Sequence, residues 1–551
     1  MSRKLLFFLC CIILSAGLFV VAWLPAGAQE ENSPSWRFGV IESYESPEHA
    51  DRLNVGWTRI PFNWAEIQQG GPQTWTARLS DEQIKAEKAA GRLPVGLLIG
   101  IPEWARDESR LPAGLWLSHD NPNNLWANFV REGVSRYQGD IDHWIIWNEP
   151  DIGDTEIAHT WDGTVADFAQ LQRTAYRVAK ETNPDAVLHL AAFTYWADYY
   201  AGTEQYMARL LDNIRTDPQA AQYNFYFDVA TAHLYFQPNQ IHDLLNLFTS
   251  IMRERGLGQP IWLVETNAPP KDDPAWPVPN WTLSVTQNEQ ATFIPQALAA
   301  ALAAGAERVA VYKLIDTEQD RLANPEPFGL VRQDGSERPA FATYRIAIDY
   351  LSEAYRAERE RWNEVGQIRV DQPDRTTSVL FARLPQWQQA QVTATDDTAV
   401  LVDMWGTKEV ITPTMGIYSI DLPPARCSQS IGDYCMIGGP TYYLVQSADV
   451  APPTATPMAT ATPTPTPTIL PTFAPTSKAT DPPLATPAIQ VTSPSELASL
   501  PEETAGPALA GTETPNQEIQ ALELPGYWMI AGGVIVIMLL GTIFVATRRR
   551  F

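Results

Sequence analysis

Two carboxylates stand at the ends of continuous apolar runs in this sequence: Glu149 in HWIIWNEPD (143–151) and Glu265 in PIWLVETN (260–267). An apolar run of this length reads as a strand buried on both faces, the kind found in parallel sheets. Residues 144–147 are the expected strand before Glu149. Pro150 disfavours the helical region for its predecessor, so Glu149 is expected to stay extended at the strand end. Each acid then sits at the rim of an apolar core. Cleavage of a glycosidic bond needs such a pair, one carboxyl protonating the leaving oxygen and the other attacking or activating water. Singly, each has a plainer reading. Glu149 before a proline is also what a turn looks like, and Glu265 could cap a helix, although the NAPP that follows it is a poor helix start.

The elements that must position these acids recur along the chain. Apolar strand patterns occur at RFGVI, VGWTRIPF, PVGLLIG, HWIIWNE, AVLHLAAF, FDVATAHLYF, PIWLVETN and RVAVYKLID. Between them lie segments such as LSDEQIKAEKAAG, NNLWANFVREGVSRYQ, VADFAQLQRTAYRVAKET and NEQATFIPQALAAALAAGA, with helical spacing of apolar residues and Asp, Asn or Thr near their starts. Eight alternations over this length predict an α/β fold, a (β/α)8 TIM barrel across residues 33–355. An open doubly wound sheet is the alternative, weakened because no Gly-rich loop follows the first strand. Active sites of such barrels lie at the C-terminal strand ends. There the sequence places Arg59 (strand two), Asn148 and Glu149 (four), His233 and Tyr235 (six), Glu265 (seven), and Tyr312 with Lys313 (eight). Arg59 alone reads as an ion-paired residue and His233 alone as a core histidine; together at several strand ends they define a candidate site. Trp57, Trp104, Trp144, Trp147 and Trp196 are core by default. Trp104, in the loop GIPEWARDE, is the candidate to stack on a sugar face, since a loop aromatic has no packing obligation.

WNEPD and VETN together resemble the clan of retaining glycoside hydrolases built on this barrel. TRIPFNWAEI and AHLYF fit it at strands two and six, as does FGLVRQDGSERPAFATY after strand eight. The nearest resemblance is to the β-xylosidase and iduronidase-like family. It implies Glu149 as acid/base, Glu265 as nucleophile, Asn148 as partner of the sugar hydroxyl beside the anomeric carbon, an arginine and a tyrosine (Arg59, Tyr235) near the nucleophile, a carbohydrate substrate and no cofactor. Many clan members have a tryptophan flooring the sugar subsite at the end of strand eight. Here Tyr312 stands there as a substitute stacking face, and Lys313 reads equally well as an ion-pair partner.

Composition bounds the rest. The chain has 551 residues, 45% hydrophobic, with a net charge of −25, which argues against a nucleic-acid partner. Residues 1–28 carry Arg3 and Lys4, an apolar run and small residues at the spacing of a cleavage site, as in a secretory signal; an uncleaved anchor is the alternative. After the barrel, short strand patterns over 365–448 predict a small all-β, sandwich-like domain that supports the barrel, since no exposed aromatic row for carbohydrate is evident. Residues 449–523 are a Pro/Thr-rich stalk, 527–546 a membrane-spanning helix and 547–551 a basic cytoplasmic tail, placing the catalytic domain outside the cell on a single-pass anchor. Cys427 and Cys435 favour a disulfide over two free thiols in an oxidising compartment, and no histidines cluster nearby to complete a metal site. Two functions remain open: a surface-tethered retaining glycosidase acting on β-linked glycosides, and a catalytically silent barrel that binds carbohydrate or cell wall.

Overall fold

Eight parallel strands close on themselves in sequence order: β1 (Ser35–Val40), β2 (Val55–Asn63), β3 (Leu93–Ile99), β4 (His143–Ile146), β5 (Val187–Phe193), β6 (Val229–His233), β7 (Ile261–Thr266) and β8 (Arg308–Val311), with β8 pairing back onto β1. This is the expected barrel, and each of the apolar runs supplies one strand. The computed structural model describes residues 34–447 apart from 153–158, 279–282, 284 and 324–325. The expected signal (1–28), stalk (449–523), apolar span (527–546) and basic tail (547–551) lie outside the described residues. Among the described residues no helix is long and apolar enough to cross a membrane.

Helices start where side chains can take up free backbone N–H groups. Ser80, Thr164 and Thr286 form capping boxes at Asp81–Ala89, Val165–Thr182 and Gln287–Ala303, and Asn124 caps Leu125–Arg136. Their apolar stripes pack outside the barrel. Inside, Ile41, Trp57, Val95, Leu97, Ile145, Val229, Trp262, Val264 and Tyr312 form a separate buried cluster. Trp57 fits only because Gly39 faces it: a Cβ at position 39 would lie 2.5 Å from its ring.

The N-terminal end of the barrel is closed by a layer that the sequence patterns do not announce. His143 Nδ1 and His189 Nε2 lie 3.0 Å apart, both rings pack on Trp262, and the Arg308 guanidinium covers Trp262 at 4.8 Å from its centroid. Burial, with Arg308 nearby, pushes the His143 imidazole down to about 4. Burial likewise holds His189 well below the ordinary imidazole range. Both histidines therefore stay neutral at physiological pH, and the floor carries no buried imidazolium.

The β domain belongs to the same compact unit as the barrel. Its main sheet is built from β9 (Arg356–Trp362), β10 (Val365–Asp371), β11 (Arg375–Ala382), β13 (Ala399–Asp403), β14 (Lys408–Ile411) and β18 (Tyr442–Ser447), in the order β14-β13-β18-β11-β10-β9. Two smaller sheets pair β12 (Gln388–Thr393) with β15 (Ile417–Leu422), and β16 (Ser430–Ile431) with β17 (Tyr434–Cys435). β9, with the sequence RAERERW, is an edge strand, and its run of charges fits an edge exposed to water. The helix Gln287–Ala303 is buried around nearly its whole circumference because it lies between barrel and β domain. Its Gln296 bonds both ways, donating to the Gly439 carbonyl (2.9 Å) and accepting from the Gly438 N–H (3.0 Å), and Glu289 accepts from the Ser428 N–H (2.9 Å).

Cys427 and Cys435 are joined in a disulfide that closes the loop at β16 and β17. Closing so short a loop restricts the unfolded chain by about 2.5 kcal/mol. Reduction is expected to lower the unfolding free energy of the chain by that order while leaving the far-ultraviolet circular dichroism of the folded state unchanged. Two free thiols in an unreduced digest would overturn the assignment.

Candidate active site

β4 ends at Ile146, one residue earlier than expected, and Glu149 is not extended: its φ is +48°, and that of Trp147 is +72°. Such left-handed backbone is disfavoured for large side chains and persists only where the surroundings hold it. They do so here. The Trp147 N–H donates to the Leu98 carbonyl at the end of β3 (2.9 Å), and the Glu149 N–H to the Ala192 carbonyl of β5 (3.1 Å). The chain thus keeps its pairing to both neighbours while turning each side chain away from the strand alternation.

The next turn is held by Asp151. Its Oδ2 accepts from the Thr194 N–H (2.7 Å), the Thr194 hydroxyl (3.0 Å) and the Tyr195 N–H (3.1 Å), tying the segment after β4 to the end of β5. Burial raises the Asp151 carboxyl to about 7, against the bonds from Thr194 and with the nearby Glu149 charge adding to the rise. Asp151 had no role in the sequence reading although it stands within WNEPD. The signal was its position two residues beyond a candidate acid.

Arg59 on β2, Glu149, His233 at the end of β6 and Glu265 on β7 converge, with exposures of 8%, 1%, 3% and 2%. His233 is the bridge. Its Nδ1 pairs with Glu149 Oε1 and lies 3.5 Å from Glu265 Oε2, while its Nε2 accepts from Arg59 Nη1 at 3.3 Å. That acceptor role puts the ring proton on Nδ1, facing the carboxylates. Arg59 Nη2 pairs with Glu265 Oε1, the Tyr235 hydroxyl donates to Glu265 Oε2, and the Asn148 amide donates to Glu149 Oε2 at 3.2 Å. One ligand-type atom from each of Glu149, His233 and Glu265 falls within 4.8 Å of the others, a spacing that a cation could also use. Both oxygens of Glu265, however, are already taken by Arg59 and Tyr235.

The two acids are biased in opposite directions. Burial raises the Glu149 carboxyl above its ordinary value, with the Glu265 charge adding to the rise, and the pairing with His233 only partly offsets it. Burial acts on Glu265 in the same sense, but Arg59, His233 and the Tyr235 hydroxyl outweigh it and hold this carboxyl low.

Tyr312 lies at the top of the barrel's interior cluster, 3% exposed, edge-on to Phe328 at 5.5 Å, and the peptide joining it to Lys313 is cis. Lys313 is an ion-pair partner: its buried ammonium sits between Glu42 and Asp320, 2.9 Å from Asp320 Oδ2. Glu42, just past β1, is a further buried carboxylate at the barrel mouth that the sequence reading passed over. Trp104 does have a packing obligation. Its indole N–H donates to the Gln68 carbonyl (2.7 Å) and its ring meets Trp64 edge-on at 6.1 Å, so the half-buried ring is held in position between two loops. Trp57, Trp144 and Trp147 are core, as expected. Trp196 is half-buried: it packs against the core and also belongs to a partly exposed aromatic group after β5.

Solved structures that share this fold are similar to the chain. One is a family 39 glycoside hydrolase from the gut symbiont Bacteroides cellulosilyticus WH2, with TM-score 0.56 and 15% identity over 75% of this chain and 82% of that one. Another is a glucosidase from Croceicoccus marinus, with TM-score 0.51 and 11% identity over 76% of this chain and 96% of that one. At these identities the likeness speaks for the fold. No protein-family model matches the sequence, and no curated protein matches it.

Arg59→Met leaves Glu265 buried without its cation, which is expected to cost about 3–5 kcal/mol at neutral pH. Because the folded-state pKa of Glu265 is depressed, the stabilisation from this pairing is complete above the ordinary carboxylate range and is lost as pH falls through the folded pKa. The deficit of the variant, measured by urea unfolding, should therefore shrink in acid. An equal deficit at both pH values would mean that the lost stability is packing, not charge.

Proposed function

We propose that this chain is a cell-surface glycoside hydrolase that cleaves β-linked glycosides by retaining double displacement. The observation that carries the reading is a pair of buried carboxyls, at the ends of β4 and β7, that share one imidazole and are biased toward opposite protonation states. Oxygens of the two acids lie within 4.8 Å of each other. Inverting enzymes keep their carboxyls roughly 6.5–9.5 Å apart to admit a water, whereas retaining ones keep them at about 5–5.5 Å.

In this reading Glu265, held ionised by Arg59, attacks the anomeric carbon while Glu149 delivers its proton to the leaving oxygen. Tyr235 and Arg59 align the nucleophile, and His233 orients Glu149 through its Nδ1 proton. In the same reading Asn148 meets the hydroxyl beside the reacting carbon, whereas Tyr312 lies buried in the interior cluster and is not assigned the stacking role. Formation of the glycosyl-enzyme removes the Glu265 charge, the carboxyl of Glu149 becomes more acidic, and it can then take a proton from water. Release of nitrophenol from a panel of aryl glycosides, with the anomeric product followed by NMR, tests the reading. Glu265→Ala is expected to abolish turnover. Glu149→Ala is expected to slow substrates with poor leaving groups far more than activated aryl glycosides. An inverted product, or wild-type rates in Glu265→Ala, would sink it.

The cell-surface placement rests on the sequence of the two ends, the small-residue site near Ala28 and the apolar span followed by Arg548, Arg549 and Arg550. A chain ending at Ser447 is expected to be recovered soluble and active after secretion. Its recovery in the membrane fraction would show that the anchor lies elsewhere.

A further inference from the structure

The short helix Trp196–Ala201, which follows β5, is built inside out. Its carboxylate is the buried residue: Asp198, 6% exposed, accepts from the Thr203 hydroxyl (3.0 Å), the Tyr206 N–H (2.6 Å) and Arg209 Nη2 (2.5 Å). Its two tyrosines face outward. Tyr199 is 56% and Tyr200 49% exposed, and Tyr195 and Trp196 are half-buried beside them. The rings are ordered as two stacked pairs, Tyr195 with Tyr199 (centroids 5.4 Å apart, planes 27° apart) and Trp196 with Tyr200 (6.0 Å, 28°). The pairs meet edge to face, at 82° and 72°. A buried acid and an exposed aromatic group on one short helix are each unusual.

The surface is also fixed to the candidate active site. Tyr195 has φ +78°, a strained value for its residue type, and its N–H is one of the donors to Asp151 Oδ2. Asp151 follows Glu149 by two residues, and Glu149 itself bonds to β5 at Ala192. The aromatic group therefore follows the strand next to the acid's own, at the C-terminal end of the barrel strands where the two acids lie. Its chemistry narrows the occupant. The exposed residues are aromatic with hydroxyl edges and include no large aliphatic side chain, which suits a ring with a C–H face and a hydroxyl rim. The net charge of −25 disfavours polyanions and anionic membrane surfaces.

We propose that Tyr195, Trp196, Tyr199 and Tyr200 form a distal platform for a neutral β-linked oligosaccharide, stacking sugar rings remote from the bond held between Glu149 and Glu265. The proposal rests on the glycosidase reading above and extends it from glycosides in general to chains long enough to reach the platform.

The test uses the full-length protein and its Tyr199→Ala/Tyr200→Ala variant, with an aryl monoglycoside and β-linked oligosaccharides from disaccharide to hexasaccharide. The expected result is unchanged turnover of the aryl glycoside and disaccharide, with KM for the hexasaccharide raised roughly tenfold, and recovery in Tyr199→Trp/Tyr200→Trp. Unchanged aryl-glycoside turnover also shows that the variant is folded. Equal KM values along the whole series would overturn the platform and leave the glycosidase reading standing. If the wild type hydrolyses no glycoside, that reading fails, and quenching of tryptophan fluorescence by the same oligosaccharides decides the platform. Binding by the wild type that the alanine variant loses supports it, and absent or equal binding overturns it. A variant that instead loses self-association or binding to neutral phosphatidylcholine vesicles, with saccharide handling unchanged, would assign the surface to a second copy or to lipid and overturn the proposal.

Discussion

Two carboxylates buried against one imidazole set the terms for the rest of this molecule. Both acids are almost wholly buried, and the guanidinium of Arg59 faces them at close range. One cation can balance one anion, so the second acid is driven toward its neutral form. The asymmetry arises from geometry: Arg59 and Tyr235 reach Glu265, whereas Glu149 has His233 and the Asn148 amide. A shift of either acid would change which one holds the charge. The left-handed residues Trp147 and Glu149, the carbonyls of Leu98 and Ala192 that hold them, and the clasp of Asp151 on β5 serve to prevent it.

A second charged network surrounds the first. Lys313, Glu42 and Asp320 are almost wholly buried at the barrel mouth, with Arg78 reaching Glu42 from the side at 3.2 Å. Here the ammonium lies between two carboxylates, and the Glu42 carboxyl is held low by Lys313 and Arg78 despite its burial. The network joins β1 to the segment after β8, the seam where the barrel closes. It fixes the position of the chain that carries Tyr312 and Lys313.

The strands were legible because their signal is local. Both faces of a parallel barrel strand are covered, so each appears as an apolar run, and the acids at the ends of those runs mark where the cover stops. Residues that depend on long-range contacts were not legible. Trp104 looks free in its loop until Gln68 and Trp64 are brought beside it. Trp196 looks like full core, yet Asp198 is the most covered residue of its helix and Trp196 is only half-buried against the core. Glu149 was expected to be extended because Pro150 limits its local choices, but the bond to Ala192, more than forty residues away in sequence, selects the left-handed alternative. Asp151 was visible and had no assigned partner, because Thr194 and Tyr195 lie on another strand's loop.

The helix Gln287–Ala303 gives the architecture an unexpected unity. The strand patterns alone would put a border near residue 360 and make the C-terminal β domain a detachable module. Yet this helix has no solvent side to return to: its Gln296 and Glu289 satisfy backbone groups of the β domain, and its apolar residues are covered from both directions. Separation of the two parts would uncover a wall of alanine, leucine and phenylalanine on the barrel. Any part put in place of the β domain would have to cover that same wall, so the barrel cannot be cut free of its cover without a new one to match.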